Sequence, residues 1–205
     1  MSSDAYLDPY REAAGQFGDQ FEVTLWASRA TQILRFEVFI EMCDMRRRRV
    51  LDAGCSRGDF ATFLVEHGVE YERYDGVDGV AEVIEFAQAR QLPRATFHLG
   101  DILRDPALLS TGSPQGICIS GTLNTMSFRQ VLALLEASWS ATEDVLLFNF
   151  LSSLARRPAP FQGGPARRHD AQKLLRWAAE KTGAVVYRQD YMKFGHDATI
   201  MMSKL

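Results

Sequence analysis

The sequence predicts an α/β fold in which a mostly parallel sheet is covered on both faces by helices. Three observations carry this reading. Short apolar runs alternate with stretches of helical period, glycine or aspartate punctuates the ends of those runs, and the closing two runs are separated by too few residues to hold a helix. Parallel neighbours need a crossover, which is usually helical, so the alternation implies parallel pairing. The closing pair has no room for one, which turns the last strand antiparallel to its predecessor.

Each element follows from its residues. Thr24 to Met42 puts Leu25, Ile33, Phe36 and Ile40 near one helical face and predicts an amino-terminal helix. The run Arg49 to Ala53 is a strand that ends at Gly54, and Phe60, Phe63 and Leu64 then recur at helical spacing before Gly68. Tyr74 to Asp78 is the second strand, followed by the stripe Val80, Val83, Ile84 and Ala87. Thr96 to Leu99 and Gly116 to Ser120 are the third and fourth strands. Val131 to Trp139 is a helix and Val145 to Leu151 the fifth strand. The Pro, Gly and Arg-rich stretch from Arg156 to Arg168 reads as a long loop. Asp170 is placed to cap the helix carrying Ala171, Leu174, Leu175 and Ala178, and Gly183 sits where a helix stops. Ala184 to Tyr187 and Ala198 to Ser203 close the sheet as its sixth and seventh strands, around a turn containing Gly195.

Composition bounds the function classes. With 205 residues, 46% hydrophobic and 24% charged, the chain is expected to fold as one domain, 1–205, with a helical cap over about 1–45, and needs no disulfides or metal to make a core. A formal charge of -3 gives no global positive field, so neither nucleic acid nor a membrane is an expected partner. Cys43, Cys55 and Cys118 are scattered, form no CxxC pair and suggest a reducing, cytoplasmic setting without a metal site. The amino terminus is polar and acidic, unlike a secretory leader, and no apolar run is long enough to span a bilayer.

The chemistry concentrates in VLDAGCSRGDF, Val50 to Phe60. Gly54 and Gly58 let the backbone approach a ligand, and the helix that follows points its free amides at the same place. A dinucleotide pyrophosphate calls for G-x-G-x-x-G, which is not present, and the carboxylate of Asp52 beside the turn disfavours a pyrophosphate and favours a cationic group.

With this motif the chain resembles the Rossmann-like (class I) S-adenosylmethionine-dependent methyltransferases, whose glycine motif reads approximately (V/L)LDxGxGxG, and the element order matches along nearly the whole chain. The resemblance implies a three-layer sandwich around a seven-stranded sheet, S-adenosylmethionine as cofactor and S-adenosylhomocysteine as product. It places Asp52, Gly54, Cys55, Ser56 and Gly58 around the methionine portion, with Ser56 standing where the family usually has glycine. It gives Asp78, twenty-six positions after Asp52, to the ribose hydroxyls, and Gly79 and Val80 to the flank of the adenine. Asp101 and Ile102 resemble the adenine-edge motif, and Ser120-Gly121-Thr122 the wall under the methionine portion. All of these positions fall at the carboxyl edge of the sheet, where ligands of open α/β sheets bind. In many relatives an amino-terminal segment folds over the cofactor, a role open here to Trp26, Arg29 and Gln32, with Arg29 reaching the methionine carboxylate; an ordinary helix with a solvated Arg29 is the alternative.

Methyl transfer depends on in-line positioning more than on acid or base help. Where a base is needed, the carboxyl edge offers Asn124, Asn149, Ser152 and His169, and the reversed last strand adds Tyr191, Lys193 and His196. His196, Tyr191 and Asn124 are the leading catalytic candidates. Neither DPPY nor NPPF occurs, which argues against adenine or glutamine N-methylation. A small organic acceptor is the expected substrate. RNA or protein methylation through the arginines of residues 156 to 168, and a non-catalytic cofactor-binding regulator, stay open as alternatives, and the oligomeric state is not legible.

Overall fold

The computed structural model describes residues 5–157 and 164–205. Strands β1 (Arg49–Ala53), β2 (Arg73–Asp78), β3 (Ala95–Leu99), β4 (Gly116–Ile119), β5 (Val145–Leu151), β6 (Val185–Arg188) and β7 (Asp197–Ser203) form one sheet in the order β3-β2-β1-β4-β5-β7-β6. The pairings among β1 to β5 are parallel, and β7 runs antiparallel to both β5 and β6, lying between them. This is the Rossmann-like three-layer arrangement that the sequence predicts.

Among the described residues, six α-helices accompany the sheet: α1 (Asp8–Phe17), α2 (Arg29–Met42), α3 (Asp59–Glu66), α4 (Ala81–Ala89), α5 (Phe128–Ala141) and α6 (Ala171–Lys181). Along β1 the side chains alternate between layers. Leu51 and Ala53 join one core with Ile119, Leu134 and Phe148, while Val50 joins the other with Phe60, Tyr74 and Phe97. Each large apolar side chain buried this way stabilises the fold by roughly 1.5–3 kcal/mol. None of the described helices is long and apolar enough to cross a membrane.

Two expectations are corrected at the amino terminus. The predicted helix from Thr24 starts only at Arg29, because the Ser28 side chain accepts from the Thr31 amide at 3.2 Å and caps it there, while Leu25 takes a left-handed turn at φ 55°. Its buried face carries Gln32, Arg35, Phe36 and Phe39, so Ile33 points outward. An additional helix, α1, precedes it. Asp170 caps α6 as predicted, accepting from the Lys173 amide at 3.0 Å. Of the long loop, residues 158–163 lie outside the described residues.

Candidate active site

At the carboxyl edge of the sheet, β1 to β4 each end in a turn, and these turns floor a cavity of about 300 Å³. Gly54 and Ser56 come from the β1 turn, Asp78 to Val80 from β2, Gly100 and Ile102 from β3, and Ser120 to Thr122 from β4. The cover comes from upstream: Tyr6, Leu7 and Tyr10 around the start of α1, and Val23 to Trp26 before α2. Asn124, Thr125 and Gly164 to Ala166 close the remaining side.

Backbone geometry makes the floor possible. Gly54 sits at φ 86°, and a Cβ there would come within 2.0 Å of Thr122 Oγ1, which donates to the Ala53 carbonyl at 2.9 Å. Gly121, at φ 78°, lies directly under the Trp26 indole. Its amide donates to Asn149 Oδ1 at 2.9 Å, and Asn149 Nδ2 donates to Ser120 Oγ at 3.0 Å, so a fully buried asparagine sets the β4 turn. Gly54→Ala is therefore expected to force the two turns apart. Strained backbone plus overpacking predicts a loss of about 2 kcal/mol or more in stability, read by thermal unfolding, together with weaker ligand binding.

Asp78 opens onto the cavity with both oxygens already oriented. The Ser56 amide donates to Oδ2 at 2.9 Å and the Val80 amide to Oδ1 at 3.0 Å. Burial pushes its carboxyl up to about 6, against the pull of these backbone donors. Asp52 lies behind the turn and does not line the cavity. The Tyr74 hydroxyl donates to its Oδ2 at 2.6 Å, Oδ1 has no partner, and burial pushes this carboxyl up to about 7. Cys55 packs in the core on the α3 side, where burial raises its thiol, and Gly58 caps α3 against the Phe97 ring.

Asp52 also has a consequence for pH. Its folded pKa lies above the unfolded value near 3.9, so the folded chain binds the extra proton and stability falls as pH rises from about 4 to about 7. Asp52→Asn is expected to weaken that fall and to stabilise the chain at pH 8 by an amount on the order of a few kcal/mol. Thermal unfolding at pH 5 and pH 8 checks this.

Asp101 likewise stays outside the lining. The Tyr6 hydroxyl donates to its Oδ1 at 2.6 Å and the Leu103 amide at 2.9 Å, while Oδ2 is buried without a partner. Ile102 does face the cavity. Arg29 lies 5.5 Å over the Phe21 ring, away from the cavity, and buried Gln32 donates to Asp59 at 3.3 Å; of that trio only Trp26 lines it.

Among the catalytic candidates, Asn124 lines the cavity, with its Oδ1 accepting from the Leu151 amide at 3.2 Å. Tyr191 and His196 do not. The Tyr191 hydroxyl bonds Thr199 at 2.8 Å and burial pushes it far up; His196 Nδ1 accepts from Arg168 at 2.7 Å, and burial lowers its pKa. The other carboxyl-edge candidates are equally occupied: Ser152 donates to Gln189, His169 bonds the Leu123 carbonyl, and Lys193 lies over Phe194. No histidine, lysine or cysteine is among the described lining residues. Among the described residues, no cluster of acidic, histidine and cysteine side chains is placed to hold a metal ion.

Sequence reasoning missed Tyr6, Leu7 and Tyr10. The only signal was apolar rings in an otherwise polar segment, and burial pushes the Tyr10 phenol up to about 12.

Residues 50–143 match the family model described as a methyltransferase domain. Solved structures agree on the fold. A SAM-dependent methyltransferase from Archaeoglobus fulgidus is 18% identical over 90% of this chain and 98% of its own, with a TM-score of 0.67. Magnesium protoporphyrin IX methyltransferase from Synechocystis PCC 6803, crystallised with bound SAH, is 15% identical over 97% and 94%, with a TM-score of 0.66. The DhpI-SAM-HEP complex is 15% identical over the full length of both chains, with a TM-score of 0.70. No curated protein matches by sequence. Over residues 50–143 the chain is thus similar to a methyltransferase domain, and its fold is the Rossmann-like one of the solved S-adenosylmethionine-dependent methyltransferases.

Proposed function

We propose that this protein transfers a methyl group from S-adenosylmethionine to a small-molecule acceptor and releases S-adenosylhomocysteine. The observation that carries the reading is Asp78: a carboxylate at the end of β2, opening onto the cavity, with each oxygen oriented by a backbone amide and a lone pair left for a ribose hydroxyl. Asp101 acts on the adenine edge through Tyr6, which lines the cavity and donates to its Oδ1, with Ile102 against the ring and Gly79 and Val80 at its flank. Gly54, Ser56, Ser120 and Gly121 then hold the methionine portion. Asp52, Cys55 and Gly58 shape the same turn from behind, and Arg29 steadies the cover through Phe21.

Bound S-adenosylmethionine supplies a methyl group on a positively charged sulfur. The chain's own residues bind, orient and keep water out. Leu7, Val23 and Trp26 give the cavity an apolar cover, which favours positioning and desolvation as the source of rate. Asp78 is given to the ribose, and no histidine, lysine or cysteine is among the described lining residues, so the acceptor is to arrive with its nucleophile already unprotonated.

The whole chain works as one methyltransferase unit, with residues up to about 45 as a cap. A cytoplasmic setting belongs to the same proposal, supported by three free, buried cysteines. Calorimetry with S-adenosylmethionine and S-adenosylhomocysteine tests the cofactor, and no heat at millimolar ligand overturns it. Methyl release over an acceptor panel then separates an enzyme from a binding protein.

A further inference from the structure

The cavity of about 300 Å³ is at the low end of the roughly 300–1,000 Å³ typical of ligand sites, so the cofactor alone fills it and the acceptor is left to the space beyond. A second groove has walls that follow directly in the chain from those of the cavity at two places. Thr125 lines the cavity and Met126 lines a neighbouring groove of about 340 Å³; Ala166 lines the cavity and Arg167 the groove. The Arg167 amide donates to the Asn124 carbonyl at 2.7 Å and joins the two walls. Met126 and Phe128 of the groove follow the β4 turn, the part of the cavity given above to the methionine portion, and the inference rests on that assignment.

Its chemistry is one-sided. Phe128 supplies aromatic surface with the fully buried Met126 behind it, while Arg167, Arg168 and Lys173 supply cations, Lys173 Nζ lying 5.9 Å over the Phe128 ring. Arg168 is held rigidly, but only by neutral acceptors: the carbonyls of Ser152 at 2.9 Å and His196 at 3.2 Å, and His196 Nδ1 at 2.7 Å. Neither Arg168 nor Arg167 pairs with a carboxylate among the described residues. The groove's one carboxylate, Asp170, is engaged as the α6 cap and lies 3.8 Å from Lys173 Nζ. The remaining ionisable group, His169, is buried, bonds the Leu123 carbonyl and has its pKa lowered by burial. In a chain of net charge -3, this is a local positive site against an aromatic floor.

We propose that this groove binds the acceptor and that the acceptor is a small aromatic organic anion, its acid group held by Arg167, Arg168 and Lys173 and its ring laid against the edge of Phe128. Hydrogen bonds from a planar guanidinium suit a carboxylate, and the apolar floor rejects small inorganic anions as full occupants.

The test uses the full chain, free and loaded with S-adenosylhomocysteine, and titrates benzoate, phenylacetate and indole-3-acetate beside their uncharged amides by saturation-transfer NMR. The acids are expected to bind about fivefold or more tightly than the amides, with the margin shrinking in high salt. The Arg167→Ala/Lys173→Ala double variant should erase that preference while leaving S-adenosylhomocysteine affinity in place. Amides that bind as well as acids, acids that bind equally to the double variant, or no acid binding at all overturns the proposal. Failure of S-adenosylhomocysteine to bind sinks the cofactor reading instead, and the acid preference of the free chain still decides the nature of the groove.

Discussion

Asp78→Ala is expected to lower affinity for S-adenosylmethionine and S-adenosylhomocysteine by about a hundredfold or more. A hydrogen bond to a charged group contributes roughly 1.5–3 kcal/mol, and a carboxylate facing a diol accepts two. The variant also frees the Ser56 and Val80 amides, so the floor loosens where the ligand is to rest. Asp78→Asn keeps the shape but turns one acceptor into a donor, and should lose nearly as much. Calorimetry on variants shown to be folded checks both, and unchanged affinity removes Asp78 from the site. The pH dependence has a definite sign. The ionised carboxylate is the form that accepts from the diol, and burial places its pKa at about 6 in the ligand-free chain. Affinity should therefore hold above pH 6 and fall about tenfold for each pH unit below it.

The largest loss of stability is expected from Asp197→Ala. Arg35 and Asp197 form a bidentate pair, with Nε to Oδ1 at 2.8 Å and Nη2 to Oδ2 at 2.6 Å, and both residues are buried. Arg35 also donates to the Thr31 carbonyl at 2.6 Å and lies 4.2 Å over the Trp26 ring. Removing only the carboxylate leaves a guanidinium with no countercharge in the interior, a change that costs about 3–5 kcal/mol. Replacing both partners with apolar residues, Arg35→Met with Asp197→Leu, should recover most of that loss, because desolvation of the pair offsets much of its attraction. Denaturant unfolding of the three variants separates the outcomes. Equal losses in the single and double variants would mean that packing, and not charge, holds this junction. Because Trp26 covers Gly121, the single variant should also loosen the cavity cover and weaken S-adenosylhomocysteine.

The sheet was legible because parallel strands buried on both faces appear as short apolar runs, as in Val145 to Leu151, where every residue is buried. The reversed last strand was legible from the shortness of its connection. Helix α1 was not: its two buried residues are the small Ala13 and Ala14, too weak a stripe to stand out from DPYREAAGQF. The turn motif located the cavity, yet sequence spacing alone does not say which of several aspartates opens onto it. Asp52 and Asp101 sit at strand ends as Asp78 does, but each receives a phenol, from Tyr74 and from Tyr6, and neither partner is adjacent in sequence. The same limit applies to His196 and Tyr191, whose hydrogen bonds to Arg168 and Thr199 depend on tertiary placement.

The position of β7 between β5 and β6 bears on how the chain is made. Until segment 197–203 emerges from the ribosome, β5 keeps an open edge of seven apolar-flanked residues and β6 has nothing to pair with. A nascent chain with such an edge is a template for other strands, so this protein is most prone to aggregation in the interval before segment 197–203 can pair, and slowed translation near residue 190 should lower its soluble yield.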